Sequence, residues 1–116
     1  MTKGGTMDIE EAAVTLIASA GDARSDAMEA IEEAKAGRFE EARSAIANGR
    51  SCLAKAHEMQ LKLLSEEANG NKDLTTLLMM HAQDHFMNAV TVLDLAQESI
   101  DVIERLAKVE ERTGLK

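Results

Sequence analysis

The 116-residue chain is expected to be all-α: one antiparallel, up-down-up bundle of three long helices. Three observations carry that expectation. There is no proline, tryptophan or tyrosine and there are only two phenylalanines, so the residue that breaks helix interiors and the aromatics that strands favour are nearly missing. Apolar residues recur at three- and four-residue intervals over runs far longer than a strand. Turn signals stop that periodicity at two interior places, Gly37 and Asn69-Gly70-Asn71.

The segment 1–7 lacks periodicity and holds Gly4-Gly5, and is expected to be a flexible start to a single domain over 8–116. The first helix is expected over about 8–35. Its face runs through Ile9, Ala13, Leu16, Ile17, Ala20, Ala23, Ala27, Met28, Ile31 and Ala34. Asp8, with Glu11 three residues on, has the pattern of an N-terminal cap. Gly21 interrupts this helix at about 1 kcal/mol relative to alanine, but the face keeps its phase on both sides, so one helix is expected, with a kink at Gly21 as an open question. Asp22 and Arg24 beside it could form a local ion pair of small value.

Gly37 closes the first helix, and a second is expected over about 38–68, with Phe39, Ala42, Ile46, Leu53, Ala56, Leu63 and Leu64 inward. Gly49 is an irregularity inside it. The third is expected over about 73–112, capped by Asp73 and ended by Gly114, with a seam of Leu74, Leu77, Leu78, Val92, Leu95, Ala96, Ile100, Ile103 and Leu106.

The net charge of −8 disfavours nucleic acid and anionic membrane surfaces as partners. Cys52 is the only cysteine, so no intrachain disulfide can form, and a reducing compartment is the simpler expectation. No apolar run is long enough to span a bilayer and the N-terminal residues lack a signal-peptide core. A cytoplasmic location follows as the expectation.

The third helix carries the main anomaly. Between Leu78 and Val92 its seam continues through His81, Asp84, His85 and Asn88, which share a face at steps of three and four. The second helix has a smaller lapse at His57 and Gln60. Polar groups in a seam cost free energy unless paired, hydrated or bound. The patch could be a purely structural polar layer. It could hold a metal, since His81 and His85 have i, i+4 spacing, but Ala82 follows the first histidine where a zinc protease needs glutamate. Nucleophilic hydrolysis lacks its motifs: there is no Gly-x-Ser-x-Gly elbow or glycine-rich phosphate loop, and Cys52 reads as a small apolar side chain. Phosphoryl acceptance needs an accessible imidazole, a group holding its other nitrogen and nearby donors, and such a helix can supply these. Met79, Met80 and Met87 are expected to be adaptable core filler.

The order of residues narrows these alternatives. Met79-Met80-His81-Ala82-Gln83-Asp84-His85-Phe86-Met87 resembles the histidine signature of the lactose/cellobiose IIA proteins of the bacterial sugar phosphotransferase system, with Phe86 in place of the usual leucine. Ala20-Gly21-Asp22-Ala23-Arg24-Ser25 resembles that family's first-helix segment, and Ala56-His57-Glu58 with Gln60 its second-helix segment. The resemblance implies a homotrimer of three-helix subunits, a nine-helix bundle. It implies that His81 accepts phosphoryl, as a tele-phosphohistidine, from the histidine-containing phosphocarrier protein and passes it to a cysteine of the IIB component. It further implies that Asp84 and its two symmetry mates share a divalent cation, magnesium, at the trimer axis; three ionised carboxylates so placed would otherwise repel. His85 and Gln83 take supporting roles toward the imidazole or phosphoryl oxygens.

Overall fold

A computed structural model describes residues 8–71 and 76–115. The described residues form three helices: α1 (Ile9–Lys35), α2 (Phe39–Ala68) and α3 (Leu77–Thr113). The expected flexible start over 1–7 lies outside the described residues. α1 and α2 fall within a residue of expectation, whereas α3 begins at Leu77 rather than near residue 73. Thr76 caps it: its backbone is extended and its Oγ1 accepts from the Met79 amide at 3.0 Å. Asp73 and Leu74, the expected cap and first seam residue, lie outside the described residues.

The other ends follow local rules. Asp8 accepts from the Glu11 amide at 3.2 Å, the expected cap of α1. Gly37 (φ 84°) and Gly114 (φ 71°) adopt the left-handed conformation just past α1 and α3. Helix α1 is continuous through Gly21.

The helices run up, down, up. Arg43 of α2 pairs with Glu104, Arg50 with Asp94, and Gln60 with Gln83, so rising numbers on α2 meet falling numbers on α3. The result is a rod of 64 × 20 × 18 Å.

Helix α1 lies between the others and packs along both, while α2 and α3 touch less. Alanine makes this possible: Ala12, Ala13, Ala20, Ala23, Ala27, Ala30 and Ala34 are all buried on α1, and small side chains let helix axes approach closely. The only large side chains wholly sealed from solvent among the described residues are Leu16 and Leu93. Gly49 sits at a close approach of helices: a Cβ there would stand 2.9 Å from Leu93 Cδ1 and 3.3 Å from the Ala23 carbonyl oxygen. The irregularity in the α2 pattern is thus a three-helix contact.

Helix α3 departs from the expected seam. Its buried stripe is Met79, Ala82, Phe86, Ala89, Leu93, Ala96 and Ile100. Leu77, Leu95 and Leu106, expected inside, are 82%, 62% and 54% exposed. At 100° per residue they belong to a second stripe on the far side of the helix, together with Val102 and Val109. The expected seam mixed the two stripes because both repeat every three or four residues. Met28 and Leu64, expected in the inward faces of α1 and α2, are also exposed. Among the described residues, no helix is long and apolar enough to cross a membrane.

Candidate functional site

The polar patch interrupts the outer stripe of α3, not the core. His81, Asp84 and Asn88 are exposed and His85 is half-buried. The seam around them was expected to be buried; instead, no polar or charged residue is buried among the described residues. The patch therefore costs the protomer little desolvation, and its placement on a rigid helix four residues past the α3 start holds the side chains in fixed mutual positions.

The two imidazoles meet edge to face, with ring centroids 4.4 Å apart. His81 Nε2 and His85 Nε2 are 3.1 Å apart, so one nitrogen must carry the hydrogen and the other a lone pair. If His85 donates, His81 keeps its proton on Nδ1 and presents a nucleophilic Nε2 lone pair. One turn along, the Asn88 amide donates to Asp84 Oδ2 at 3.3 Å.

Gln83 is placed elsewhere. Its Oε1 accepts from Gln60 Nε2 at 3.0 Å and its amide nitrogen lies 3.9 Å from Met79 Sδ, with no hydrogen bond to either imidazole. Two residues apart on a helix do not share a face, so Gln83 points to α2 while His81 points outward. His57 stacks on Phe86, centroids 6.3 Å apart and planes within 16°. The polar lapse on α2 is thus a clasp holding α2 to α3, extended by Arg50, whose guanidinium donates to Asp94 at 2.9 Å and Gln97 at 2.6 Å. Of the three methionines expected as core filler, Met79 is buried, but Met80 and Met87 are 61% and 54% exposed beside the histidines.

On the α1 side, His85 and Asn88 form one wall of an open groove of about 570 Å³ whose other wall is Ala20, Gly21, Arg24, Ser25 and Met28. The Asp22–Arg24 ion pair anticipated from sequence is not formed; among the described ion pairs none involves Arg24, because i, i+2 positions diverge on a helix. Cys52 is half-buried and free, and burial, reinforced by Asp26 and Asp22, pushes its thiol up, the wrong direction for a nucleophile.

Among the described residues no three His, Cys, Asp or Glu side chains of one protomer converge as metal ligands. Two imidazoles without a third ligand fall short of a protein-bound transition-metal centre. Asp84 and the Asn88 amide oxygen offer the hard oxygen donors that magnesium prefers, but one carboxylate is too few, and a cation there needs donors from other copies.

Residues 11–104 match the family of lactose/cellobiose-specific IIA subunits of the phosphotransferase system. The chain belongs to that family. It is 46% identical over 101 residues to the lichenan-specific IIA component of Bacillus subtilis strain 168, spanning 87% of this chain and 92% of that one. The cellobiose-specific IIA component of Lactococcus lactis is 43% identical over 97 residues, 84% of each chain. Among solved structures, the cellobiose-specific enzyme IIA of Bacillus anthracis superposes with a TM-score of 0.84 at 40% identity, covering 93% of this chain and 95% of that one. The N,N'-diacetylchitobiose IIA of Escherichia coli, solved in complex with HPr, superposes with a TM-score of 0.77 at 35% identity, covering 87% and 98%. As a IIA subunit the chain is a relay component of the phosphotransferase system.

Proposed function

We propose that His81 carries the phosphoryl group of this IIA relay. The observation behind it is the His81–His85 contact: an exposed imidazole on a rigid helix whose Nε2 faces a second imidazole at 3.1 Å. The donor is the histidine phosphocarrier HPr, the partner in the Escherichia coli complex, and the acceptor is a cysteine of the IIB component.

In the first transfer the Nε2 lone pair of His81 attacks phosphorus in line. A P–N bond forms to His81, the P–N bond to the donor imidazole breaks, and its electron pair returns to the donor ring. One proton passes the other way, from the ring gaining the phosphoryl to the ring losing it. His85 must turn aside, since its Nε2 stands where the phosphoryl would go; its N–H then serves a phosphoryl oxygen. In the second transfer a IIB thiolate attacks the same phosphorus and the pair returns to His81. Gln83, tied to Gln60, acts as a brace between helices.

The outer stripe of α3 supports assembly as a homotrimer, a nine-helix bundle with three α3 helices at the axis. Helices with two apolar stripes have two sets of neighbours, and α1 and α2 account for only one. Asp84 lies on that second stripe, and three copies would bring three carboxylates together. Magnesium shared among them would supply charge neutralisation. The relay acts in the cytoplasm. The relatives bear the names of different sugars, lichenan and cellobiose among them, in keeping with a sugar choice made by other components.

Incubation with phosphoenolpyruvate and the general phosphotransferase proteins tests the acceptor. The native chain should gain one acid-labile phosphate and His81→Gln none; labelling of His81→Gln would overturn the assignment. Asp84→Leu should keep the trimer and remove its dependence on divalent cation, because an apolar layer replaces a repulsive one. Monomers on that substitution would count against the shared cation.

A further inference from the structure

The α1 wall of the groove beside His85 has no part in the relay so far. Among the described residues, no ion pair or side-chain hydrogen bond involves Arg24 or Ser25, which line this wall, although acidic residues outnumber basic ones by 21 to 13 in the chain. The residues three and four positions away on α1 are Ala20, Gly21, Ala27 and Met28, so no helical neighbour neutralises the guanidinium. Asn88, on the opposite wall, adds an amide.

Gly21 is a second, separate observation. It lowers helix propensity by about 1 kcal/mol relative to alanine, yet a Cβ there would meet nothing within 4 Å and its φ is not left-handed. Neither packing nor backbone geometry requires glycine. What a side chain at Gly21 would fill is the groove.

His85 connects this groove to the acceptor. Its ring lines the groove and its Nε2 touches His81 Nε2 at 3.1 Å. A phosphoryl group on that nitrogen displaces the ring, and the open volume beside it is the groove. The imidazole that touches His81 thus shares its groove with a guanidinium and a hydroxyl that pair with no other side chain among the described residues.

We infer that the α1–α3 groove is a phosphoryl-oxygen subsite in which Arg24, assisted by Ser25, binds the group carried by His81. The inference rests on the reading of His81 as acceptor. The guanidinium offers five donors and no acceptor, and its fork matches two oxygens of a phosphoryl group. Its charge favours arrival of the dianion and lengthens its stay. Glycine at position 21 keeps the entrance open to the partner's phosphoryl.

The full-length chain and its variants are compared in rapid-quench transfer from phosphorylated HPr, with the lifetime of the label on His81 measured afterwards. Arg24→Gln should slow transfer by about tenfold or more, the direction and scale of removing a positioned donor at a developing charge. Arg24→Lys should restore only part of the rate, since it returns the charge without the two-oxygen fork, and Ser25→Ala should have a smaller effect. In the native chain the ¹⁵Nε resonance of Arg24 should move on phosphorylation, a readout that a merely structural arginine would not show. Gly21→Leu should slow transfer while preserving helical circular dichroism. If Arg24→Gln fails to fold, the native Nε resonance decides: a shift supports the subsite and an unmoved resonance overturns it. Label on the native chain, together with native transfer rates for Arg24→Gln and an unmoved resonance, overturns the subsite alone. A native chain that takes no label on His81 overturns the acceptor reading and the subsite with it.

Discussion

The two sides of α3 are built from the same kind of residue and do different work. The inner stripe, from Met79 to Ile100, is buried against α1 and α2 and contains no polar side chain. The outer stripe, from Leu77 to Val109, is equally periodic, is exposed, and is interrupted by His81, Asp84 and Asn88. One stripe makes the protomer; the other carries the two histidines' exposed neighbourhood and is the candidate site. The difference shows that helical periodicity alone does not say which apolar stripe is buried in the protomer, and that the interruption, more than the stripe, marks the candidate site.

Substitutions on the two stripes should separate accordingly. Leu93 is wholly buried, so Leu93→Ala should lower the unfolding free energy by about 2–5 kcal/mol in urea titrations. Leu95→Asp, two residues away, should leave helical content and the protomer fold intact but convert the proposed trimer to monomers in sedimentation. A monomeric native chain, or loss of folding in Leu95→Asp, would break the contrast. Gly49→Ala belongs with the inner side: the crowding at Leu93 and Ala23 costs about 1–3 kcal/mol, against about 1 kcal/mol gained in helix propensity, for a net loss near 1 kcal/mol. The smallest effect should come from Asp26, whose pKa is raised above 3.8 by burial and then by Asp22. A carboxyl held more tightly as the acid in the native state loses stability as pH rises through the interval above 3.8. Asp26→Asn should therefore raise the melting temperature slightly at neutral pH, with the gain vanishing below pH 3.8.

Most of this architecture was legible in the sequence because helices announce themselves locally. Periodicity located α1 and α2, glycine located their ends, and the histidine signature located the patch. Asp73 is the cap suggested by sequence, but Thr76 takes the role at the start of α3, because the cap residue depends on where the chain re-enters the bundle. The phase of α3 is not legible locally, because Leu77, Leu95 and Leu106 have the spacing of core residues yet are exposed on the protomer. The clasp of His57, Gln60, Gln83 and Arg50 was hidden because its partners are far apart in sequence. Arg24 did carry a local sign, a cation with no acidic residue at the neighbouring helical positions, but its meaning depended on the groove.

The alanine stripe of α1 sets a direction on what can change in this molecule. An interior lined with methyl groups has almost nothing to give up and no room to accept more, so drift along α1's inner face is closed on both sides. Novelty is left to the outer surfaces, where a new docking preference can arise without renegotiating the fold. A lineage built on this rod could exchange partners, and with them sugars, while its centre stays nearly unaltered.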